Sequence, residues 1–185
     1  MKKWIDNTAS EVMDSQGAFS LIGVAAGETL AVTGDDIKTL CIGCGDGTEL
    51  GFFKDVVGID LNNTSLEKCK AKGYHVEKMD MHELTFNDNS FDLVFARDSF
   101  EHAVAPIQVL SEMARVSKRY VSITLPDQSW DGSHYHYLIP TLRQMLAMAD
   151  KVGLNLRSYR EFNRGVGQMV IFQHLYIFEK RRDLL

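Results

Sequence analysis

Short apolar runs alternate with segments of helical periodicity from residue 37 onward. The short runs have the length and composition of buried strands, and the longer segments repeat apolar residues at the spacing of one helix face. Alternating strands and helices predict a parallel sheet that is covered on both faces. The predicted strands are 37–43, 55–60, 74–80, 91–97, 119–125, 154–162 and 168–180, and the predicted helices are 47–53, 64–72, 106–117 and 139–152.

The last two predicted strands break this alternation. Only residues 163–167 separate them, which is too short for a helical crossover, so they should pair as antiparallel neighbours. The fold class is therefore α/β, with a Rossmann-like seven-stranded sheet that is mostly parallel and has an antiparallel last strand. Residues 3–31 have helical character, with a break near Gly17. We expect a single domain, with a helical cap over 1–35 and an α/β core over 36–185.

Composition narrows the classes of partner. Lys and Arg number 20 against 25 Asp and Glu, and the net charge of −5 disfavours a broad nucleic-acid-binding face. No segment has the length and apolarity of a membrane span, and the polar residues after the opening MKKW do not form a secretory signal. Three cysteines, an odd number, are typical of reduced thiols. These features predict a cytoplasmic protein with no membrane partner.

The segment TLCIGCGDGTEL follows the first predicted strand and contains a glycine-rich turn. Gly43, Gly45 and Gly47 would let the backbone pass close to a ligand. The G-x-G-x-x-G pattern of dinucleotide sites fails, because Thr48 and Leu50 stand where it needs glycine. The turn therefore favours a nucleoside ligand without a pyrophosphate.

The same segment contains a C-x-x-C, formed by Cys41 and Cys44. It could be a redox dithiol, or it could bind zinc together with His134 and His136. However, Cys41 lies within the strand and Cys44 in the turn, whereas a redox pair usually begins a helix. We therefore rank metal or redox chemistry at these thiols below nucleoside binding.

Two carboxylates close the next predicted strands. Asp60 ends the second strand, where it could accept hydrogen bonds from both ribose hydroxyls, and Asp80 ends the third, where it could accept from an exocyclic amine. The carboxyl ends of parallel strands share one edge of the sheet. With the glycine turn, these residues describe a pocket for an adenosine without phosphates.

The ordered series of motifs resembles the class I S-adenosylmethionine-dependent methyltransferases, and most of all the branch called methyltransferase type 11. TLCIGCGDGTEL resembles the first family motif, and VVGIDLNNTSLEKCKAKGYHVEKMDMHELTFNDNSFDLVFARDSFEHAV resembles the second to fourth. The resemblance covers residues 37–126. It implies S-adenosylmethionine as cofactor and S-adenosylhomocysteine as product.

Site residues follow from the resemblance position by position. It implies that the glycine turn passes the methionine moiety, that acidic strand ends hold the ribose and the adenine amine, and that two apolar neighbours contact the adenine. The implied cofactor-binding residues are Cys41, Gly43, Cys44, Gly45, Gly47, Asp60, Leu61, Asp80, Met81 and Arg97. Cys41 departs from the family, which usually has Asp or Glu there to organise the methionine ammonium. Asp46 is the candidate for replacing that charge.

The cofactor activates its own methyl group, so the protein must mainly orient the acceptor. His102, which follows the fourth strand, and His134 and His136, in the segment 126–140, are candidate catalytic bases. A packing role is the alternative for each. Arg97 could also bind a substrate carboxylate, with ion pairing to Asp98 or Glu101 as the alternative.

The proline motifs of amino methyltransferases and of cytosine methyltransferases are absent: RDSF follows the fourth strand, and no cysteine precedes a proline. The function predicted is therefore methyl transfer from S-adenosylmethionine to an O, N or C atom of a small-molecule acceptor. The alternative is a catalytically silent module that binds S-adenosylmethionine or S-adenosylhomocysteine.

Overall fold

The computed structural model describes residues 17–128, 135–166 and 169–181, and in these ranges strands and helices alternate as predicted. The helices are α1 (Gly17–Thr33), α2 (Asn63–Ala71), α3 (Pro106–Val116) and α4 (Leu142–Lys151). The strands are β1 (Lys38–Ile42), β2 (Asp55–Asp60), β3 (His75–Lys78), β4 (Phe91–Arg97), β5 (Ser117–Pro126), β6 (Leu154–Val166) and β7 (Met169–Lys180).

The strands form one seven-stranded sheet in the order β3-β2-β1-β4-β5-β7-β6. Strands β1 to β5 pair in parallel, whereas β7 is antiparallel to both of its neighbours. The predicted Rossmann-like sheet with an antiparallel last strand is therefore confirmed. The strand order reverses between β1 and β4, and in open α/β sheets that is the point where ligands bind.

Side chains that alternate along the strands build an apolar cluster on each face of the sheet. In β1, Leu40 and Ile42 belong to one cluster, whereas Cys41 belongs to the other. The first cluster includes side chains of α3 and α4, and the second includes side chains of α1 and α2. Helix α1 thus packs against the sheet, while the predicted helical piece before Gly17 lies outside the described residues.

The predicted helix over 47–53 was wrong in extent, since only the 3₁₀ turn Leu50–Phe52 forms there. Gly47 has a φ of 84°, a left-handed conformation that an α-helix does not accommodate, and a second glycine at position 51 has low helix propensity. The short turn leaves the chain close to the end of β1, which matters for the position of Glu49.

Helix α4 starts later than its predicted boundary at residue 139. Thr141 caps it by accepting from the Gln144 backbone N–H at 3.2 Å, while the Gln144 side chain accepts from the Thr141 N–H at 2.9 Å. Gly153, with a φ of 77°, follows its last turn. No helix in the described part of the chain has the length and apolarity needed to cross a membrane.

Candidate cofactor and acceptor site

The glycine turn after β1 contacts the segment after β4 and leaves room on its other side. Gly43, Gly45 and Gly47 have φ values of 66°, 52° and 84°, which are left-handed. A Cβ on Gly43 would lie 2.2 Å from Ser99 Oγ, so no larger residue fits there. A Cβ on Gly45 would meet nothing within 4 Å. The turn therefore has a closed side at Gly43 and an open side at Gly45, where a ligand could approach the backbone.

Asp60, at the end of β2, is joined directly to this turn. Its Oδ2 accepts from the Gly45 N–H at 2.9 Å, and its Oδ1 accepts from the Asn62 N–H at 2.8 Å. An ionised carboxylate has about four acceptor sites, so each oxygen keeps capacity for a further donor. Leu61 follows Asp60 and is half-buried. The carboxylate is thus oriented by the backbone beside the open face of Gly45.

Asp80 lies just beyond the end of β3, within hydrogen-bonding distance of His82. Its Oδ1 accepts from the His82 N–H at 2.8 Å and lies 2.7 Å from His82 Nδ1, while its side chain is 53% exposed. Burial raises the pKa of Asp80, but the His82 hydrogen bonds outweigh it and hold the pKa below the usual value. Asp80 therefore stays ionised with Oδ2 available, and its neighbour Met81 packs against the first core cluster.

Arg115 of α3 holds the loop that follows Asp80. Its guanidinium donates to the carbonyl oxygens of Leu84 at 2.7 Å and Phe86 at 2.8 Å, and it pairs with the carboxylates of Glu112 and Asp88 at 2.7 and 2.8 Å. One side chain thus binds two backbone carbonyls and one carboxylate of a loop that has no regular structure of its own.

Glu49 was missed by sequence reasoning, and it lies beside Cys41. The Cys41 thiol donates to Glu49 Oε2 at 3.6 Å, while Glu49 Oε1 accepts from Arg97 Nε at 2.5 Å. Glu49 is 5% exposed, so this is a buried carboxylate. An acid inside the apolar stretch after the glycine turn was the signal in the sequence, but the predicted helix over 47–53 obscured it.

The electrostatics of these residues follow from burial and pairing. Burial raises the pKa of Glu49, and the Arg97 guanidinium opposes that rise. Burial, then the nearby Glu49 carboxylate, raises the pKa of the Cys41 thiol well above its usual value. The sulfur therefore keeps its proton at neutral pH and acts as a hydrogen-bond donor rather than as a nucleophile.

Arg97, at the end of β4, connects Glu49 with β7. Its guanidinium also pairs with Asp98, whose Oδ1 accepts from Gln173 Nε2 at 2.7 Å. Asp98 has a φ of 46°, a left-handed conformation that is uncommon outside glycine and clusters at functional sites. The pairing with Asp98 is the one considered as the alternative to substrate binding by Arg97, and the Glu49 contact adds to it.

Asp46 is engaged elsewhere. Its Oδ1 accepts from Thr48 Oγ1 at 2.6 Å and from the Thr48 N–H at 3.1 Å, and Lys72 Nζ lies 3.8 Å from its other carboxylate oxygen. These contacts face the end of α2. The carboxylate in contact with Cys41 is therefore Glu49, not Asp46.

Cys41 and Cys44 of the C-x-x-C lie in the same buried cluster but form different hydrogen bonds. The three cysteines are unpaired in disulfides and buried. Cys44 is close to Cys69 of α2, and burial together with that neighbour raises the pKa of its thiol. Cys69 donates to the carbonyl of Gly45 at 3.2 Å, behind the turn. Cys41 instead donates to Glu49, so the two thiols of the motif have different hydrogen-bond partners. Of the two histidines proposed as zinc ligands, His134 lies outside the described residues.

The turn Phe100–His102 after β4 brings His102 against the segment that follows β5. His102 Nδ1 lies 3.0 Å from the carbonyl oxygen of Tyr135, and the rings of His102 and His136 are 5.1 Å apart. Burial lowers the pKa of His102, so its imidazole is neutral near pH 7. Two of the three predicted catalytic histidines are thus brought together at the carboxyl end of β4.

Comparison with known proteins identifies the family. The model of a family described as "Methyltransferase domain" matches residues 40–131, which run from within β1 past the end of β5 and include the site residues just described apart from Tyr135, His136 and Gln173. The chain belongs to the class I methyltransferases. S-adenosylmethionine is the cofactor of that class.

Two solved structures share the fold of this chain, and the three similar proteins are named for different reactions. A sterol 24-C-methyltransferase of Candida albicans is 33% identical over 97 residues, which cover 45% of this chain and 26% of the relative. Magnesium protoporphyrin IX methyltransferase of Synechocystis, solved with S-adenosylhomocysteine, has a TM-score of 0.72 at 11% identity, covering 89% of this chain and 84% of that one. The [4+2]-cyclase SpnF has a TM-score of 0.73 at 17% identity, with 92% and 83% covered.

Proposed function

We propose that this methyltransferase transfers the methyl group of S-adenosylmethionine to an O, N or C atom of a small-molecule acceptor. The observation that carries the proposal is the hydrogen bond from the Gly45 N–H to Asp60 Oδ2 at 2.9 Å, beside the open face of Gly45. It places an oriented carboxylate and an accessible backbone at the point where the strand order reverses.

The residues present fit this cofactor. Asp60 would accept from the ribose hydroxyls and Asp80 from the adenine amine, with Leu61 and Met81 as apolar neighbours of the base. Glu49 would supply the negative charge for the methionine ammonium that family members usually place at position 41. When bound, the cofactor supplies a methyl group already activated by its sulfonium.

The remaining task of the chain is to orient the acceptor and exclude water, and orientation of this kind supplies about 7–11 kcal/mol. His102, His134 and His136 are the candidates for accepting a proton from the acceptor. His102 is suited to it because its imidazole is neutral near pH 7 and can therefore take up a proton. Arg97 is held by Glu49 and Asp98, so its role would be to fix the charge at the methionine end.

Two observations concern the acceptor. The net charge of −5 and the absence of the nucleic-acid methyltransferase motifs favour a small molecule. The chain spans about a quarter of the sterol methyltransferases that it matches, so the similarity does not carry a sterol acceptor over to it. A catalytically silent cofactor-binding module is the second candidate, favoured by Cys41, which stands where the family usually has an acid.

Isothermal titration calorimetry with S-adenosylmethionine and S-adenosylhomocysteine tests the proposal directly. We expect both to bind with micromolar dissociation constants. Failure of either ligand to bind at millimolar concentration would overturn the proposal. Cofactor binding without methyl transfer to any member of a small-molecule acceptor library would favour the silent module instead.

A further inference from the structure

Three ligand-type side chains meet just past the end of β4, and we call them the imidazole–carboxylate cluster: Glu101, His102 and His136. Each offers one donor atom, and these atoms all lie within 4.8 Å of one another. Glu101 and His102 are in the 3₁₀ turn Phe100–His102, and His136 belongs to the segment after β5. The two segments are also joined by the Tyr137 N–H, which donates to the Glu101 carbonyl at 2.8 Å.

The carboxylate of this cluster has an unsatisfied oxygen. Glu101 is 2% exposed, and its Oε2 is buried with no hydrogen-bond partner. Leaving a buried polar atom without a partner costs about 1–3 kcal/mol, and more for a charged one. A cation is the kind of group that satisfies such an oxygen.

The imidazole of His102 is already arranged as metal-bound imidazoles usually are. A backbone carbonyl can only accept, so the contact between Nδ1 and the Tyr135 oxygen at 3.0 Å puts the proton on Nδ1. Nε2 then keeps its lone pair. Histidine ligands of zinc commonly donate their other ring N–H to a carbonyl or carboxylate, which fixes the tautomer and the ring orientation.

We propose that Glu101, His102 and His136 bind a divalent transition-metal ion of the zinc class. Two imidazoles and one carboxylate form a ligand set known from catalytic zinc sites, where the fourth position is left to water or substrate. Ligand atoms about 2 Å from a tetrahedral ion are roughly 3.3 Å apart, so a 4.8 Å spread closes with modest side-chain rotations. The site is distinct from the C-x-x-C thiols.

The position of the cluster suggests a use for the ion. It follows Ser99, whose hydroxyl is in contact with the glycine turn at Gly43. If the methyl transfer proposed above holds, an open coordination position here would bind the acceptor atom and lower its pKa, and His102 would then hold the ion rather than accept the acceptor's proton. This use rests on the proposed function, whereas metal binding itself does not.

The test uses the full chain, freed of metal with a chelator and titrated with zinc by calorimetry and with cobalt by visible spectroscopy. We expect one ion per chain and the ligand-field bands of tetrahedral or five-coordinate cobalt. Glu101→Gln and His136→Gln should each weaken zinc binding at least ~100-fold, since loss of a direct ligand exceeds the 10- to 100-fold effect of its supporting partners. The matched control His75→Gln, at an exposed histidine of β3, should bind as the parent does.

Several results would overturn the site. They are failure of the parent chain to bind one zinc ion, unchanged affinity in both ligand variants, or cobalt–thiolate charge-transfer bands that place the ion at cysteines. Circular dichroism of each variant in the presence of chelator shows whether it is folded. If one ligand variant does not fold, the other still tests the site. Calorimetry with S-adenosylhomocysteine on the metal-free chain separates the two proposals. A chain that binds zinc but not S-adenosylhomocysteine refutes only the proposed function. A chain that binds S-adenosylhomocysteine but not zinc refutes only the metal site.

Discussion

The thiol of Cys41 donates a hydrogen bond to the carboxylate of Glu49, with 3.6 Å between Sγ and Oε2. The two residues are eight positions apart, one in β1 and one past the glycine turn. A carboxylate therefore lies beside position 41, where the resemblance implies an acidic residue, but residue 49 supplies it. Arg97 binds the other oxygen of the same carboxylate, which keeps the charge compensated while it is buried.

The first prediction concerns a carboxylate introduced at position 41. Cys41→Asp places a second buried carboxylate against Glu49, and like charges at that distance repel, so we expect a loss of about 2–4 kcal/mol in unfolding free energy. The double variant Cys41→Asp/Glu49→Gln keeps one charge and should regain most of that loss. Urea unfolding at pH 7 measures both. Additive effects of the two substitutions would show that the residues do not interact.

Removing the charge is the second prediction. Glu49→Gln keeps the shape of the side chain but leaves Arg97 with Asp98 as its remaining carboxylate, so we expect a loss of about 1–3 kcal/mol in stability. S-adenosylhomocysteine affinity should also fall at least ~10-fold, because a charged hydrogen bond is worth about 1.5–3 kcal/mol. Glu67→Gln, at an exposed acid of α2, is the control. Unchanged affinity in a folded Glu49→Gln protein would remove Glu49 from the proposed site.

Asp60 carries the third prediction. Asp60→Ala should weaken S-adenosylhomocysteine binding by at least ~10-fold, since the oriented carboxylate is lost from the ribose position. Asp55→Ala, at the exposed opposite end of the same strand, is the matched control and should bind normally. Calorimetry of the three proteins decides it, and equal affinities would show that the ribose lies elsewhere.

The fourth prediction separates the structural from the functional glycines. Gly43→Ala should cost more stability than Gly45→Ala, because its Cβ would meet Ser99 Oγ at 2.2 Å, whereas the Cβ at Gly45 meets nothing within 4 Å. Both share the strain of a left-handed alanine, about 1 kcal/mol. Gly45→Ala should instead mainly reduce cofactor affinity. Thermal unfolding and calorimetry on both variants test this, and a larger stability loss at Gly45 would contradict it.

The fifth prediction concerns Arg115. Arg115→Met should lower stability by about 2–3 kcal/mol, since it frees the carbonyls of Leu84 and Phe86 and the Glu112 carboxylate from a charged donor. The hydrogen bond from Arg115 lowers the pKa of Glu112, and burial opposes this only in part. The pairing therefore stabilises the folded protein fully above the usual pKa of a glutamate. That stabilisation is lost as the pH falls through the lowered pKa of Glu112. Urea unfolding from pH 7 to 3 should show a smaller acid-side loss in the variant. An unchanged pH profile would argue against the pairing.

Sequence reasoning reached the sheet because its signals are local. Apolar runs, glycines and the short connection between the last two strands each predict their own element, and the order of motifs supplied the topology. Sequence reasoning missed Glu49 because its contact with Cys41 depends on how tightly the chain turns after Gly47. The φ angles that shape this turn cannot be read from the pattern of apolar and polar residues. The contacts that link Arg97, Asp98 and Gln173 could not be predicted either, because Gln173 lies in a strand that is distant in the sequence.

The cluster of Glu101, His102 and His136 could not be predicted from the sequence either. Each histidine was a candidate base, and Glu101 entered only as an ion-pair alternative for Arg97. Their meeting requires that the segment after β5 fold back onto the turn after β4. Such long-range contacts have no periodicity that a single sequence can reveal.

The reversal of strand order between β1 and β4 divides the sheet into two halves. The nucleoside contacts proposed for Asp60 and Asp80 come from the β1–β3 half, whereas β5, β7 and the segment after β5 belong to the other. The family match ends at residue 131, before β6 and β7 begin. The match therefore includes the carboxyl ends of β1, β2 and β3, where the proposed nucleoside contacts lie, but neither β6 nor β7.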